Sequence, residues 1–178
     1  ELRGLQLQRF PLSDSFVAAI KELTPQERLE RLGRTGSVRK TTGAGLESLK
    51  ACPRLNELFF WEPAVSDAGM VNLEGFTHLK WLNLACTSVS DEGLVHVGKR
   101  ATLEWLSLHS TPVTDAGLEH LRQLDRLKRL DLSNTRITDE GLNHLGDLFQ
   151  LEYLDLGGTE VTDDGAANLR RLLTGVAI

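Results

Sequence analysis

Three side chains of this sequence are of the types that form the catalytic triad of a serine hydrolase: His109, Asp131 and Ser133. In such a site the imidazole bonds both the nucleophile and the carboxylate, and an oxyanion hole faces the reacting carbonyl group. The spacing of the three residues places them side by side on flat neighbouring strands, which provide none of this. The sequence also has no nucleophile-elbow glycine motif. We therefore predict no catalytic residues and no enzyme activity.

Carboxylates and histidines are spaced in ways that first suggest metal sites. Asp131 and Asp155 could form a pair, but no third ligand accompanies them. His96, His120 and His144 recur at one place in successive helices. Zinc needs its nitrogen ligands within about 2.1 Å, whereas neighbouring helix axes stand about 8–10 Å apart. We predict no metal and no cofactor, and we interpret the two aspartates as an acidic patch that favours a basic partner.

Five copies of a 24-residue repeat run from Leu55 to Thr174. The elements that these copies form must position the side chains described above. Each copy begins with leucines in the pattern LxxLxL, continues to a β-branched residue and then reads Ser/Thr-Asp-x-Gly. The copies begin at Leu55, Leu79, Leu103, Leu127 and Leu151. A period of this length is typical of a solenoid, in which each unit buries its apolar face against its neighbours.

The copy from Leu127 to Gln150 shows how one unit is built. Leu130 and Leu132 are two residues apart and therefore point to one face of a short strand. A segment with helical spacing follows Asp139, and we predict that the carboxylate of Asp139 caps this helix by accepting a free backbone N–H. Gly141 and its counterparts cost stability within a helical turn, which indicates a geometric need. This is either close packing between repeats, which we favour, or a φ that a side chain would forbid.

The alternation of the strands leaves one set of side chains free of the core. The first outward position reads Glu57, Trp81, Trp105, Arg129 and Tyr153; the second Phe59, Asn83, Ser107, Asp131 and Asp155; the third Trp61, Ala85, His109, Ser133 and Gly157. Because neighbouring strands lie about 4.8 Å apart, we expect Trp81 to contact Trp105 and Arg129 to stack between Trp105 and Tyr153.

These repeats resemble the leucine-rich repeat family, in particular the ribonuclease-inhibitor-like and cysteine-containing subclasses found in F-box proteins and many bacterial proteins. The resemblance implies an α/β solenoid that is curved, with parallel strands on the concave face and helices on the convex face. One departure is regular, since the family usually has Asn or Cys after the strand. That place here holds Thr87, Thr111, Thr135 and Thr159, with Pro63 in the first copy. A threonine hydroxyl can still bond the loop backbone, so we expect the fold to survive.

Large exposed aromatic residues on a rigid surface are typical of binding hot spots. We therefore predict a non-catalytic module that binds a protein or peptide on its concave face. The predicted partner-binding residues are Phe59, Trp61, Trp81, Trp105, Arg129, Asp131, Tyr153 and Asp155. Two structural explanations stay open, namely mutual stabilisation of like residues on neighbouring strands and packing against a further domain.

Two alternative functions also stay open. The apolar spacing of Pro11, Phe16, Ile20, Leu23, Pro25, Leu29 and Leu32 resembles an F-box motif, which implies a substrate adaptor of a ubiquitin ligase. Exposed tryptophans also stack on sugars, which would make the chain a carbohydrate-recognition domain.

Composition and the irregular ends complete the prediction. The 178 residues fit one domain, with irregular N-terminal repeats over 1–54, five regular repeats over 55–174 and the start of a further strand over 175–178. A formal charge of −5 argues against general affinity for nucleic acid or anionic membranes. No apolar run approaches the roughly 18–20 residues that span a bilayer. The oligomeric state and the cellular compartment are left open.

Overall fold

The computed structural model describes residues 31–32, 56–60, 63 and 65–178. The strands are β1 (Arg31–Leu32), β2 (Glu57–Phe59), β3 (Trp81–Asn83), β4 (Trp105–Ser107), β5 (Arg129–Asp131) and β6 (Tyr153–Asp155). The helices are α1 (Asp67–Met70), α2 (Asp91–Val97), α3 (Asp115–Leu118), α4 (Asp139–Leu142) and α5 (Asp163–Leu172). Short 3₁₀ segments continue α1, α3 and α4 over Val71–Gly75, Glu119–Leu121 and Asn143–Leu145.

The six strands form one parallel sheet in chain order. From β2 onward the register advances by one repeat per strand, so that Leu58 pairs with Leu82 and Leu82 with Leu106. Between each pair of strands from β2 to β6 the chain returns through a helical segment. The predicted α/β solenoid of parallel strands and helices is therefore confirmed.

The core lies between the sheet and the helices. The middle residue of each strand from β2 to β6 is a leucine that is at most 1% exposed. Just after β3, β4 and β5, the leucine two residues beyond the middle one is also buried, as at Leu84 and Leu108. The residues on either side of each middle leucine therefore point to the opposite face, as the alternation predicts.

The threonine that follows each strand bonds the backbone of its own turn. The hydroxyl of Thr87 donates to the Leu84 carbonyl at 2.7 Å, and that of Thr111 donates to the Leu108 carbonyl at 2.6 Å. The same bond is made by Thr135 and by Thr159. Threonine therefore replaces the usual asparagine or cysteine at this place, and its hydroxyl bonds the loop backbone as expected.

Each of these turns contains one residue in the left-handed region of backbone space. Its φ is 58° at Cys86, 53° at Ser110, 55° at Asn134 and 74° at Gly158. Glycine and asparagine adopt this conformation readily, whereas residues such as cysteine and serine are strained there. The last two copies therefore carry residues that suit the turn, and the two before them do not.

Replacing Cys86 by glycine is expected to raise the free energy of unfolding by about 0.5–1 kcal/mol, because the strain at positive φ is removed. Chemical denaturation followed by circular dichroism measures the change. Ala101→Gly serves as the control, because Ala101 is also an exposed turn residue but has no positive φ. A loss of stability in both variants would contradict the strain argument.

The corner before each helix is built differently from the sequence prediction. The N-cap residue is the Ser or Thr that precedes the aspartate, for example Thr138 at the start of α4, and Asp139 is the first helical residue. The assignment of Asp139 as the N-cap was therefore wrong. The carboxylate of Asp139 instead accepts from the backbone N–H of Thr162 at 2.8 Å and from its hydroxyl at 2.7 Å.

This pair of hydrogen bonds recurs between successive repeats, and we call it the corner clamp. It joins Asp67 to Ser90, Asp91 to Thr114, Asp115 to Thr138 and Asp139 to Thr162. The Thr162 hydroxyl, together with its backbone N–H, lowers the pKa of the Asp139 carboxyl. The aspartates of the repeat therefore connect neighbouring units rather than cap their own helices.

The corner glycines leave room for this clamp. A Cβ added at Gly93, Gly117, Gly141 or Gly165 would lie 2.4, 2.3, 2.2 or 2.0 Å from the Oδ1 atom of the clamp aspartate in the preceding repeat. Real Cβ atoms do not approach an oxygen so closely. The expectation that these glycines allow close packing between repeats is confirmed.

The two ends bear on the predicted domain boundaries. β1 pairs with β2 through Arg31 and Leu32, two of the residues in the segment predicted to be irregular. The rest of the 1–54 prediction, including the F-box-like spacing before Arg31, falls outside the described residues. At the other end, Ala177 pairs in parallel with Tyr153, in the register that a further strand would have. The boundaries themselves stay a prediction.

Candidate functional site

The outward residues of strands β2–β6, together with the residue two places after each strand, form what we call the strand face. The register aligns Trp81, Trp105, Arg129 and Tyr153 in one row, and Asn83, Ser107, Asp131 and Asp155 in the next. Glu57 and Phe59 continue the two rows on β2. Seven of the eight predicted partner-binding residues thus lie on one surface. The eighth, Trp61, falls outside the described residues.

In the first row of the strand face, exposure rises from β2 to β6. Glu57 is buried, Trp81 and Trp105 are half-buried, and Arg129 is exposed. Tyr153 is 46% exposed. In the second row Asn83 and Ser107 are buried, whereas Asp131 and Asp155 are half-buried. The most exposed side chains of the first row are therefore those of Arg129 and Tyr153, on β5 and β6.

The contacts of the aromatic rings differ from those expected. The Trp105 ring lies 5.9 Å from the Phe59 ring, centroid to centroid, with the planes tilted by 34°. These two residues sit on strands β2 and β4, so their rings meet across β3. The Nζ atom of Lys80 lies 5.9 Å from the centroid of the Trp81 ring. Within the described residues there is no ring-to-ring pairing of Trp81 with Trp105 and no stacking of Arg129 on an aromatic ring. The ring interactions are those of Trp105 with Phe59 and of Trp81 with Lys80.

In the second row of the strand face, one type of side-chain hydrogen bond recurs at the end of each strand from β3 to β6. Side-chain oxygens of Asn83, Asp131 and Asp155 accept the backbone N–H two residues further on, at 2.8, 3.0 and 2.9 Å. Ser107 accepts from His109 N–H in the same way at 3.4 Å. This is the side-chain-to-backbone turn for which Asn, Asp and Ser are suited. These four residues thus have a structural role, which the sequence analysis did not identify.

A chain of hydrogen bonds connects the residues that resemble a catalytic triad. The Ser133 hydroxyl donates to Asp131 Oδ1 at 2.5 Å, so Ser133 Oγ accepts from His109 Nδ1 at 2.8 Å. The His109 Nε2 atom lies 3.0 Å from Ser110 Oγ. Ser107 donates to the second carboxylate oxygen of Asp131 at 2.9 Å. The chain holds the His109 ring in one orientation on the strand face.

This arrangement lacks the geometry of a serine hydrolase. Ser133 stands between the imidazole and the carboxylate, whereas a triad bonds these two groups directly. An oxyanion hole also needs free backbone N–H groups, but those near Ser110 already donate hydrogen bonds. The Ser110 N–H donates to the Ser133 carbonyl, and the Thr111 N–H donates to the Leu108 carbonyl. Neither amide is free to stabilise an oxyanion. The geometry therefore favours an orienting network over a catalytic one.

Charged side chains flank the strand face. Lys80 lies 2.8 Å from Glu104 and Lys128 lies 3.3 Å from the same carboxylate, one residue before the first outward position. The bond from Lys80 is the main cause that lowers the pKa of Glu104. On the face itself, the charge of Asp155 is the main cause that raises the pKa of Tyr153. The aromatic surface near β6 is thus in a negative local field.

The histidines in the helices are not arranged as a metal site. His96 Nδ1 lies 3.9 Å from the Glu74 carboxylate. Among the residues that the structure describes, no three His, Cys, Asp or Glu side chains are grouped so that they could hold a metal ion. In the same part of the chain, no helix is long and apolar enough to cross a membrane.

The comparisons with known proteins agree with this architecture. The family described as Leucine Rich repeat matches residues 77–97, 127–147 and 150–169. The curated proteins yield no match.

Two of the similar solved structures are internalins of Listeria monocytogenes. An internalin (InlF) is 23% identical with a TM-score of 0.67 over 88% of this chain. Internalin C2 (InlC2) is 20% identical with a TM-score of 0.55 over 82% of this chain. The chain spans 43% and 62% of their respective lengths. At these identities the likeness concerns the fold. Three of the repeats thus match the leucine-rich-repeat family, and the described repeats stack as a leucine-rich-repeat solenoid.

Proposed function

We propose that the chain is a non-catalytic module that binds a protein or peptide on its strand face. One observation carries this proposal: Trp105, Arg129 and Tyr153 lie side by side on adjacent strands, with Trp105 half-buried and both Arg129 and Tyr153 exposed. The leucines between the outward rows are buried, so the strands cannot shift without breaking the core. A rigid surface loses little conformational entropy when a partner binds.

The proposed partner-binding residues keep distinct roles. Phe59 and Trp105 support each other through their ring contact, and Trp81 extends the aromatic row. Tyr153 and Arg129 offer exposed contact area, of the residue types that dominate binding energy in protein interfaces. Asp131 and Asp155 add negative charge beside them. Trp61 belongs to the proposal through its sequence position alone.

The test is selection of binders from a random linear-peptide display library, followed by affinity measurement with purified variants. Replacing both Trp105 and Tyr153 by alanine is expected to weaken binding of the selected peptides at least about thirtyfold, because the loss of a single hot-spot residue already costs about 2 kcal/mol or more. Circular dichroism and thermal unfolding verify that the variant remains folded.

Phe149→Ala is the matched control, since Phe149 is an aromatic residue that is 78% exposed and lies in the turn before β6 rather than on the strand face. Its affinity for the peptides should equal that of the wild type. Undiminished binding by a folded double variant would refute the proposal. Selection of glycans instead of peptides on an array, with the same loss in the double variant, would support the carbohydrate-recognition alternative.

A further inference from the structure

We propose that the strand face selects an extended peptide segment with an acidic and a basic side chain two residues apart. The acidic side chain would pair with Arg129 and the basic one with Asp155. This inference rests on the proposed function, and it names the chemistry of the partner.

Arg129 carries a positive charge that is uncompensated within the described part of the chain. Lys80 and Lys128, one residue before the first outward position, both pair with Glu104. The guanidinium of Arg129, by contrast, makes no ion pair with a described carboxylate. It is exposed and lies between the aromatic residues Trp105 and Tyr153 in the register. An arginine with free donors suits the fork of a partner's carboxylate.

The two aspartates of the strand face differ in how far their oxygens are occupied. Asp131 accepts from Ser107, from the Ser133 backbone and from the Ser133 hydroxyl, at 2.9, 3.0 and 2.5 Å. Asp155 accepts from the Gly157 backbone at 2.9 Å, and its other oxygen lies 3.4 Å from the Tyr153 hydroxyl. No described cation pairs with Asp155. Asp155 is therefore the carboxylate that can accept from a partner.

The positions of the two charges match the repeat of an extended chain. Arg129 and Asp155 are diagonal neighbours on adjacent strands, since Asp155 follows Tyr153, the register partner of Arg129, by two residues. In a parallel pair, strands about 4.8 Å apart and a rise of about 6.6 Å over two residues place such diagonal neighbours about 8 Å apart. Side chains two residues apart in an extended peptide point the same way, with about 6.6 Å between them. One peptide with opposite charges at this spacing can therefore pair with both.

The test uses a peptide from the display selection and a second version in which its acidic and basic residues are exchanged. Arg129→Glu is expected to weaken binding of the parent peptide about tenfold, because an attraction at a partly exposed site becomes a repulsion. With Arg129→Glu and Asp155→Lys combined, the exchanged peptide should bind better than the parent. Binding of the parent peptide to the wild type should also weaken as ionic strength rises.

Arg126→Glu is the matched control, because Arg126 is an exposed arginine in the turn before β5 and not on the strand face. It makes the same charge change and should leave the affinity unaltered. If the parent peptide binds Arg129→Glu and Asp155→Lys as well as the wild type, the inference is overturned. The proposed function then stands, provided that the Trp105 and Tyr153 double variant still loses binding. Reversible dimerisation abolished by the same two charge reversals would overturn the inference in favour of a second copy of the chain.

Discussion

Replacing Gly141 by alanine is expected to lower the free energy of unfolding by about 3 kcal/mol, near the upper end for overpacking a rigid site. The added Cβ would lie 2.2 Å from Asp115 Oδ1. That carboxylate cannot swing aside freely, because it accepts from the backbone N–H of Thr138 at 2.8 Å and from its hydroxyl at 2.6 Å. Either the clamp breaks or the two repeats separate. Urea denaturation followed by circular dichroism measures the loss.

Gly146→Ala is the matched control for this substitution. Both glycines lie outside the positive-φ region, so alanine fits either backbone. A Cβ at Gly146 would come no closer than 3.3 Å, to the end of the exposed Leu172 side chain. Such a flexible group can move, and the stability should stay within about 0.5 kcal/mol of the wild type. Equal losses in the two variants would show that the contact with the clamp aspartate is not what makes Gly141 necessary.

Much of the fold could be predicted because one pattern is repeated. An LxxLxL motif fixes which residues of a strand face the core, and repetition at a constant period fixes the register between strands. The pairing of Trp81 with Trp105 and of Arg129 with Tyr153 followed from the spacing alone. A one-residue error would have placed leucines on the surface, so the prediction had little freedom.

The corner clamp could not be recognised by considering one repeat at a time. An aspartate at the start of a helix fits the rule for N-caps, and that rule was applied to Asp139. Its hydrogen-bond partner, however, is Thr162, in the following repeat. The signal that could have revealed it was the combination in every copy of a Ser or Thr before the aspartate and a glycine two residues after it.

The side-chain contacts of the strand face also lay beyond the sequence. The strand register determines which Cα atoms are neighbours, but it does not determine the side-chain rotamers. The contact of Trp105 with Phe59 across β3 depends on those rotamers. The bond from Ser133 to Asp131 likewise separates His109 from the carboxylate. Spacing alone made these three residues resemble a triad, and the order of their hydrogen bonds adds a further argument against one.

Replacing Asp115 by alanine is expected to lower the free energy of unfolding by about 2–3 kcal/mol. The substitution removes two hydrogen bonds to an ionised acceptor, each of which contributes about 1.5–3 kcal/mol when its donor stays unsatisfied. The expected loss lies below the sum of the two, about 3–6 kcal/mol, because Thr138 is only half-buried and water can reach its hydroxyl. Guanidinium denaturation monitored by tryptophan fluorescence gives the value.

Asp163→Ala isolates the clamp from the other effects of this substitution. Asp163 occupies the same place in the last copy, as the first residue of α5, but its carboxylate accepts no hydrogen bond within the described residues. Its loss should cost only the attraction between a carboxylate and a helix N-terminus, about 0.5 kcal/mol. A loss as large as that of Asp115→Ala would mean that the clamp contributes little.

Combining Asp115→Ala with Gly141→Ala determines whether the glycine exists for the sake of the aspartate. Without the Asp115 carboxylate, the closest atom recorded near the added Cβ is Ile137 Cγ2 at 3.2 Å, a contact that a small shift relieves. The double variant should therefore be about as stable as Asp115→Ala alone, with a coupling energy of about 3 kcal/mol, equal in size to the loss expected for Gly141→Ala alone. If the two losses simply add, the glycine serves a need independent of the clamp. A coupling of the expected size would mean that the aspartate of one repeat and the glycine of the next act as one unit. The glycine is then needed only where the preceding repeat carries the aspartate.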